Sequence, residues 1–516
     1  MKIKSLLAGM LATTAFVACT NDVETAENNG AIQAGEKSYV AVNIVAPTAS
    51  RAASDFVPGS AGEVAVNKAV FLFLNENFEG CADPCEVVSP DFSKDATGEG
   101  LDKEATILVL KNAKQVPAYM VAVLNPVATY TDETDLSDLQ DEVAAYTTKT
   151  NENFVMSNAV YKGADGREVA ATPITMDNIF GSEDEAKAAP VTIQVERVVA
   201  KVAVELDDAE WEGQEEFDGC ETKELDLVID GWDILQNNNS YLVKKINLSW
   251  THTWWNSTNL KRSYWAVDYA DGGRNSLEVK TMNLPKDGYR YVEETVSQTA
   301  NTVESDDVNP YLVVAAHFVE AGTENPVSLV EWRGRKYTLN GYLNFIVTNS
   351  KIAQYWYKTA DGYEKFNKGL LEMVEVETAW KNEAKLTNAA AGYEYYTCTY
   401  DAAGEPETGS WKKAETSDVE AAIAEFGEVQ YWNGGKTYYY TPIKHQTVGT
   451  DNYYGVVRNH YYKIEISGIN GYGTPVSNPD HVIEIPERPT DDESYLAAKV
   501  VILDWKVVVN DNVELN

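Results

Sequence analysis

Residues 497–515 read AAKVVILDWKVVVNDNVEL and stand at the end of the sequence. Residues 500–509 are almost continuously apolar and rich in β-branched side chains, with only Asp504 and Lys506 as interruptions. Such a run predicts a strand that is buried on both faces. Because chain ends usually fray unless something holds them, two interpretations stand. The run is either the last core strand of its own domain or a strand that is inserted into another molecule by β-strand addition.

The composition points to an all-β protein with more than one domain. The chain has 516 residues, of which 44% are hydrophobic and 11% aromatic, with 30 Tyr and 12 Trp. Tyr, Trp, Val and Thr favour strands, and the length suits about three domains or, equally, two large β-sandwiches. The net charge of −38 argues against nucleic acid or an anionic membrane surface as the partner.

The first residues predict export as a lipoprotein. Lys2 and Lys4 precede an apolar run, and Ala18-Cys19 then places a small residue before a cysteine. The apolar run is too short to cross a bilayer as a permanent helix. We therefore predict a signal peptide over residues 1–18 and lipidation of Cys19, as in a bacterial lipoprotein. The polar residues that follow predict a flexible tether.

The next segment predicts a strand beside a protease site. Residues 37–46 alternate apolar side chains on two faces, which is typical of a strand. A loop of small residues follows and carries a single arginine, Arg51, before Ala52. Exposed loop tips of this kind are preferred cleavage sites. A cut between Arg51 and Ala52 would separate the strand and the lipid from the rest of the chain, so residues 19–51 are predicted to be a propeptide.

The body of the chain alternates apolar runs and turn signals. Runs at residues 65–74, 105–110, 119–124, 191–206, 225–233, 311–319 and 336–347 predict strands. Asp135 and Ser417 are predicted to cap short helices, the second through a capping box with Glu420. Asn433-Gly434 predicts the turn of a hairpin. The acidic segment after residue 206 divides an N-terminal domain, residues 52–210, from a C-terminal domain, residues 211–516.

Motifs with a catalytic mechanism are absent from the sequence, so we predict that the protein is not an enzyme and needs no cofactor. Cys81 and Cys85 lack a second pair at ligand spacing, which favours free or locally bridged thiols over a metal site. His460 lies in a predicted strand, where a structural hydrogen bond is the favoured role. The Trp-rich residues 250–265 either fill the end of a sandwich, which we favour, or form a surface that stacks on carbohydrate.

Several motifs together resemble a known family. They are FVMSNA at 154–159, VERVVAKV at 195–202, DGWD at 230–233, NGGKTYYYTPIKH at 433–445, GVVRNHYYKI at 455–464 and the final DWKV. With the lipoprotein signal and the strand before an arginine, they resemble the type V pilins, or fimbrillins, and among these the minor-fimbrium (Mfa-type) structural subunits.

The resemblance implies two tandem transthyretin-like β-sandwich domains and a structural role in adhesive fimbriae. It implies lipidation at Cys19 with palmitate at the outer membrane, cleavage by an arginine-specific protease at Arg51-Ala52, and extracellular fimbriae as the final location. It implies polymerisation with copies of itself and accessory pilins by donor-strand exchange, in which residues 497–515 fill the groove that a neighbour opens by losing its N-terminal strand. The predicted donor side chains are Val500, Ile502, Leu503, Trp505, Val507 and Val509. The alternative function is a non-polymerising surface lipoprotein that binds glycan through residues 250–265.

Overall fold

The structure is a computed structural model. It describes residues 38–45, 59–88, 106–147, 153–162, 168–205, 210–212, 217, 224–246, 267, 273–282, 288–296, 309–376, 381–448, 450–483, 495–503 and 508–509.

The N-terminal region builds a twisted sheet, sheet A, from short strands. They are β1 (Ser38–Val45), β2 (Lys68–Leu74), β3 (Cys85–Val88), β4 (Thr106–Leu110), β5 (Tyr119–Leu124), β6 (Val143–Ala144), β7 (Met156–Asn158), β8 (Tyr161–Lys162), β9 (Glu168–Val169), β10 (Thr172–Pro173) and β11 (Val191–Arg197). Sheet A has the order β3-β2-β5-β7-β11-β1-β4, and β10 also pairs with β5. The helices of this region are α1 (Ala61–Val64), α2 (Leu136–Asp141) and α3 (Glu183–Ala188).

The strand pairing changes sheet at Val198. The predicted single strand over residues 191–206 is wrong, because it is two strands, β11 and then β12 (Val199–Glu205), which belong to different sheets. The strands that follow are β13 (Glu210–Glu212), β14 (Leu225–Leu235), β15 (Ser240–Tyr241), β16 (Tyr289–Glu293), β17 (Thr295–Val296) and β18 (Tyr311–Glu320). β15 pairs with β6, and Leu242 and Val243 lie in the core of the N-terminal region. The division near residue 210 stays a prediction.

The second region is a β-sandwich whose last strands come from the end of the chain. These are β28 (Lys436–Pro442), β29 (Lys444–Val448), β30 (Asp451–Val456), β31 (Tyr461–Asn470), β32 (Thr474–Pro475), β33 (Tyr495–Leu503) and β34 (Val508–Val509). Sheet B has the order β16-β12-β31-β33-β34 and sheet C the order β14-β18-β28-β32. Their inner faces share one core, to which sheet B contributes Val202 and Ile464 and sheet C contributes Trp232 and Val314.

A third unit lies in sequence between β18 and β28. Its strands are β19 (Leu329–Trp332), β20 (Arg335–Thr338), β21 (Trp356–Thr359), β22 (Gly362–Lys365), β23 (Leu371–Glu375), β24 (Lys381–Leu386), β25 (Tyr395–Thr397), β26 (Lys412–Ala414) and β27 (Val429–Trp432). Sheet D has the order β20-β19-β27-β24-β23 and sheet E the order β22-β21-β25-β26. The helices are α4 (Leu339–Thr348), α5 (Asn388–Ala391) and α6 (Thr416–Ala424). This inserted unit has its own hydrophobic core, and the sequence did not predict it.

Three local predictions in and beside the inserted unit are wrong. The strand over residues 336–347 is mostly helix α4, because Thr338 accepts a hydrogen bond from Gly341 and Tyr342 and Ile346 then lie on one buried face. Helix α6 begins one residue before Ser417, so the predicted capping box is absent.

The third is the hairpin at Asn433-Gly434. β27 joins sheet D and β28 joins sheet C, so the two strands do not pair. Gly435 has a φ of 74°, and a Cβ there would clash with the backbone of Phe318. The glycine therefore lets the chain pass closely against β18 as it leaves the inserted unit.

The predicted all-β class with a few short helices is confirmed. Strands predicted from alternation are present at β2, β4, β5, β14 and β18, and the strand predicted over residues 37–46 is β1.

Candidate functional site

Strand β1 lies between two other strands of sheet A. It pairs antiparallel with β4, from Ser38 opposite Leu110 to Val42 opposite Thr106. It pairs parallel with β11, where Val42 is opposite Val191. β1 therefore fills a position between two neighbours instead of extending an edge. Its loss would expose unpaired backbone groups on both β4 and β11.

The side chains of β1 are buried on both faces of the sheet. Val40 and Val42 lie in the N-terminal core and are at most 1% exposed. Ala41 points to the other face and is 1% exposed, and helix α3 packs against the strand. Each well-buried valine contributes about 1.5–3 kcal/mol by leaving water, so β1 is part of the core and not a loose cover.

Two further backbone hydrogen bonds hold the start of β1. The backbone N–H of Tyr39 donates to the carbonyl of Phe180 over 2.8 Å, and the N–H of Phe180 donates back to the carbonyl of Tyr39 over 2.9 Å. Two backbone hydrogen bonds of this kind fix the register of the strand against the segment before α3.

The next described residues begin at Gly59, and this segment is fixed to the second region. Ser60 and Glu63 form a capping box at α1. Arg197 donates from Nε to the carbonyl of Glu63 over 2.7 Å. The carboxylate of Glu63 accepts from Lys201 over 2.8 Å and from the hydroxyl of Tyr291 over 2.7 Å. We call these contacts the Glu63 clamp.

The Glu63 carboxylate is 2% exposed and ionised. Burial raises its pKa, but hydrogen bonds from Lys201, Tyr291 and the backbone of Ser60 outweigh burial and lower the pKa to about 2. Lys201 lies in β12 of sheet B and Tyr291 in β16, so the clamp joins the residues after Arg51 to the second sandwich.

The predicted donor segment forms two strands and not one. Val500, Ile502 and Leu503 lie in β33, which pairs antiparallel with β31, from Tyr461 opposite Leu503 to Asn470 opposite Tyr495. Val509 lies in β34, opposite Val501 of β33. β33 and β34 run antiparallel, so a single strand over residues 500–509 is wrong because the apolar run pairs with itself. Trp505 and Val507 lie outside the described residues.

Other predicted site residues also lie outside the described part of the chain. These are Cys19, Arg51, Ala52 and the Trp-rich residues 250–265. Cys81 and Cys85 are described and are free thiols, so the local bridge is absent. Burial raises the pKa of Cys81 to about 11, which keeps the thiol protonated and unreactive near neutral pH.

Sequence reasoning missed a buried cluster of charges between the first two regions. Arg458, 1% exposed, donates from Nε to Glu294 over 2.5 Å. It also donates to the carbonyls of Leu242 over 2.8 Å and Tyr241 over 2.7 Å. Lys244 lies 3.4 Å from Glu294, and both side chains are buried. Charges that are fully buried in this way are held by their partners.

The same cluster contains much of the motif sequence. Glu196 is 3.8 Å from Lys244, and Arg197 donates to Asn459 over 2.9 Å. His460 donates from Nδ1 to the carbonyl of Arg458 over 2.8 Å, so it is a structural hydrogen-bonding residue as predicted. The VERVVAKV and GVVRNHYYKI motifs therefore meet at the junction of the two regions. The sequence signal was the presence of charged residues inside otherwise apolar runs.

The comparison with protein families gives one match at the end of the chain. Residues 430–511 match the model described as major fimbrial subunit protein type IV, fimbrillin, C-terminal. The C-terminal region of this chain is fimbrillin-like. This confirms the predicted resemblance to the fimbrillins, and it supports the role of a fimbrial subunit, a structural protein at the cell surface.

Solved structures give weaker likenesses. A candidate cell adhesion protein from Bacteroides eggerthii is 9% identical with a TM-score of 0.36, over 93% of this chain and 98% of that chain. One from Parabacteroides distasonis is 12% identical with a TM-score of 0.36, over 90% and 96% of the two chains. The tip fimbrial protein Mfa3 from Porphyromonas gingivalis with C-terminal truncation is 13% identical with a TM-score of 0.28, over 91% and 100%. No curated protein matches significantly.

The fimbrillin-like region spans strands β28 to β34. It therefore contains β31 and β33, together with Arg458 and His460 of the buried charge cluster. Within the described ranges, no helix has the length and apolar character needed to cross a membrane. Those ranges also hold no group of three His, Cys, Asp or Glu residues placed to bind a metal ion.

Proposed function

We propose that this fimbrial subunit polymerises by donor-strand exchange after cleavage between Arg51 and Ala52. One observation carries the proposal. β1 occupies a position between β4 and β11, with valines buried in the core, and it is joined to the rest of the chain through the segment that contains Arg51. A cut in that segment leaves β1 bound by non-covalent contacts alone.

The Glu63 clamp determines which segment dissociates after cleavage and which segment stays bound. Arg197, Lys201 and Tyr291 hold Glu63, which is twelve residues after Arg51, at the junction of the two regions. After cleavage β1 can dissociate while the new N-terminal segment stays attached from Gly59 onwards. The groove between β4 and β11 is then open, and its edges accept a strand from another molecule.

Residues 497–515 supply that strand. In the monomer β33 pairs with β31 and β34 folds back on β33, so the segment has a place on its own sandwich. For exchange the hairpin opens, and the extended segment enters the groove of the next subunit. Val500, Ile502, Leu503, Trp505, Val507 and Val509 supply the apolar side chains of the entering strand, in the groove where Val40 and Val42 of β1 lie in the precursor. Burial of these side chains stabilises the exchanged strand.

The proposed cellular location follows from the same assembly scheme. Cys19 carries the lipid, with palmitate, that holds the precursor at the outer membrane, and an arginine-specific protease separates the subunit from the lipid. The partners are copies of this chain and accessory pilins, and the assembled fimbria supports adhesion. No catalytic group takes part in assembly after the proteolytic cut.

The experiment is cleavage of the purified precursor with an arginine-specific protease. We expect a ladder of oligomers that withstands mild detergent, and loss of the fragment that contains residues 38–45. The Arg51→Ala protein under the same treatment should remain monomeric. Monomers from both proteins, together with retention on a carbohydrate column, would instead favour the non-polymerising lipoprotein that binds glycan through residues 250–265.

A further inference from the structure

Sheet E of the inserted unit carries aromatic side chains on its outer face. Cross-strand partners point to the same face of a sheet, and residues two apart on a strand do so as well. Trp356 is opposite Tyr396, and Lys358 is opposite Tyr363. Tyr357 and Tyr395, which alternate with them, are buried in the core of the inserted unit. Trp356, Tyr363 and Tyr396 therefore lie on the face turned away from that core.

The rings on this face form one contiguous surface. Trp411 stacks on Tyr363 with ring centroids 4.0 Å apart and an angle of 13° between planes. Trp411 also meets Trp356 edge-on at 5.3 Å, and Tyr363 meets Tyr396 edge-on at 4.9 Å. The four rings are half-buried, and because the outer face of a half-buried antiparallel sheet is usually polar, the surface that they leave open suits a partner.

Lysines are interleaved with the rings. Lys413 is opposite Tyr396, Lys365 is opposite Trp356, and Lys358 lies beside them on β21. The ammonium groups of Lys358 and Lys413 lie 3.8 Å and 2.8 Å from Glu394, which is the carboxylate at the paired positions of this face. Both lysine side chains are more than half exposed. Glu415 adds a second carboxylate close to Lys413, so the three lysines leave a small excess of positive charge here in a chain whose net charge is −38.

We infer that this face binds a glycan that carries carboxylate groups. Tyr and Trp rings offer flat apolar surface on which the C–H face of a sugar ring stacks, and their polar edges stay solvated. Lysine ammoniums supply exposed point charges that pair with a sugar carboxylate. The loop after β25 adds Asp401 and Glu407 at one end of the sheet, so the sugar carboxylates would lie at the other end, against the exposed sides of Lys358 and Lys413 that Glu394 does not cover.

This binding site is separate from strand exchange. The face belongs to the inserted unit and is complete in the uncleaved monomer, so its test needs neither protease nor polymer. It also differs from the Trp-rich residues 250–265.

The test titrates the uncleaved monomer by calorimetry and tryptophan fluorescence. The probe is an oligogalacturonate, and a cello-oligosaccharide of equal length is the neutral comparison. We expect saturable binding of the oligogalacturonate that weakens with salt, and much weaker binding of the neutral sugar. Lys358→Gln/Lys413→Gln should weaken binding by about tenfold, because two exposed ion pairs are lost.

Trp411→Ala should weaken binding by about tenfold as well, since it removes a stacking ring. Lys381→Gln, which changes an exposed lysine on sheet D, is the matched control and should bind as the parent does. The lysine variants keep the fold because their side chains are exposed, so loss of binding there does not reflect unfolding. Three results would overturn the inference: no binding of the oligogalacturonate, tighter binding of oligothymidylate or an acidic peptide, or self-association that Trp411→Ala abolishes.

Discussion

Lys201 donates a 2.8 Å hydrogen bond to the carboxylate of Glu63 and so joins strand β12 to helix α1. These residues are 138 positions apart in the sequence and belong to different regions of the fold. The bond fixes the chain after Arg51, whereas β1 before Arg51 is held by sheet A, by helix α3 and by the Phe180 segment. In the proposed scheme, cleavage between them separates β1 from a segment that stays attached through Glu63.

The Glu63 clamp predicts a pH dependence of stability. Hydrogen bonds lower the pKa of Glu63 to about 2, below its ordinary value of 4.5. The charged clamp therefore contributes fully above about pH 4.5 and loses its contribution as the pH falls towards about 2. We expect Glu63→Gln to lower the free energy of unfolding by about 1–3 kcal/mol near neutral pH and by little near pH 2.

Urea unfolding at several pH values measures this difference. Glu86→Gln, which removes an exposed carboxylate paired with Lys68, is the control and should change stability by less than about 1 kcal/mol. A destabilisation by Glu63→Gln that is equally large near pH 2 would show that packing, not charge, holds the clamp.

Glu293 predicts a pH dependence of stability with the opposite sign. Burial raises the pKa of Glu293 to about 7, although it accepts hydrogen bonds from the backbone of Thr147 and from Ser240. The folded protein then binds a proton that the unfolded chain releases near pH 4.5, so stability falls as the pH rises from about 4.5 to about 7. Glu293→Gln can accept from the backbone of Thr147 through its amide oxygen and donate to the hydroxyl of Ser240 through its amide nitrogen, and it removes the titration. Its stability relative to the parent should rise across that window, and a constant difference would contradict the prediction.

The buried charge cluster predicts a large cost for removing Arg458. Arg458→Ala takes the guanidinium away from the buried carboxylate of Glu294, which Lys244 approaches to 3.4 Å, and it removes donors to two carbonyls. We expect a loss of about 3–5 kcal/mol in the free energy of unfolding, measured by denaturant titration.

Arg290→Ala is the matched control. Arg290 pairs with Asp233 and is 39% exposed, so the loss should be below about 1 kcal/mol. Equal losses for the two variants would mean that the cluster does not hold the first two regions together.

The contacts between β1 and the rest of sheet A predict how fast β1 dissociates after cleavage. Val42→Ala removes two methyl groups from a site that is 1% exposed and leaves a cavity in the N-terminal core. We expect a loss of about 1–3 kcal/mol in stability of the precursor and faster dissociation of the cleaved fragment. A fluorescent label placed before residue 37 reports the release. Val88→Ala, on a 71% exposed side chain of β3, should leave the release rate unchanged.

Local patterns in the sequence predicted much of the fold. The alternation in β1 and the apolar runs of β2 and β5 are strong signals because their side chains face the N-terminal core, and the run of β18 is one because it faces the core of the second region. Helix α4 was misread as a strand, since Tyr342, Phe345 and Ile346 favour strands and only the cap at Thr338 shows otherwise. Propensity alone does not separate these cases.

The sequence did not predict the parts of the site in which residues far apart in the chain come together. Glu63, Arg197 and Lys201 meet because sheets A and B lie next to each other in the fold. The sequence contains so many acidic residues that nothing in it distinguishes Glu63 as the one that is held by these contacts. The pairing of β34 with β33 was missed for a similar reason: a continuous apolar run is equally consistent with one long strand and with two short ones. The aromatic face of sheet E depends on strand pairing across the inserted unit, which the sequence did not predict.

Chain termination is the most direct test of strand exchange. The Arg51→Ala subunit keeps β1, so it can donate residues 497–515 but cannot accept a strand. Added in excess to cleaved parent subunits, it should shift mass-photometry distributions from long ladders to dimers. The Arg51→Ala subunit that also lacks residues 500–516 is the control and should leave the ladders long. Ladders that are equally long with both additions would contradict strand exchange.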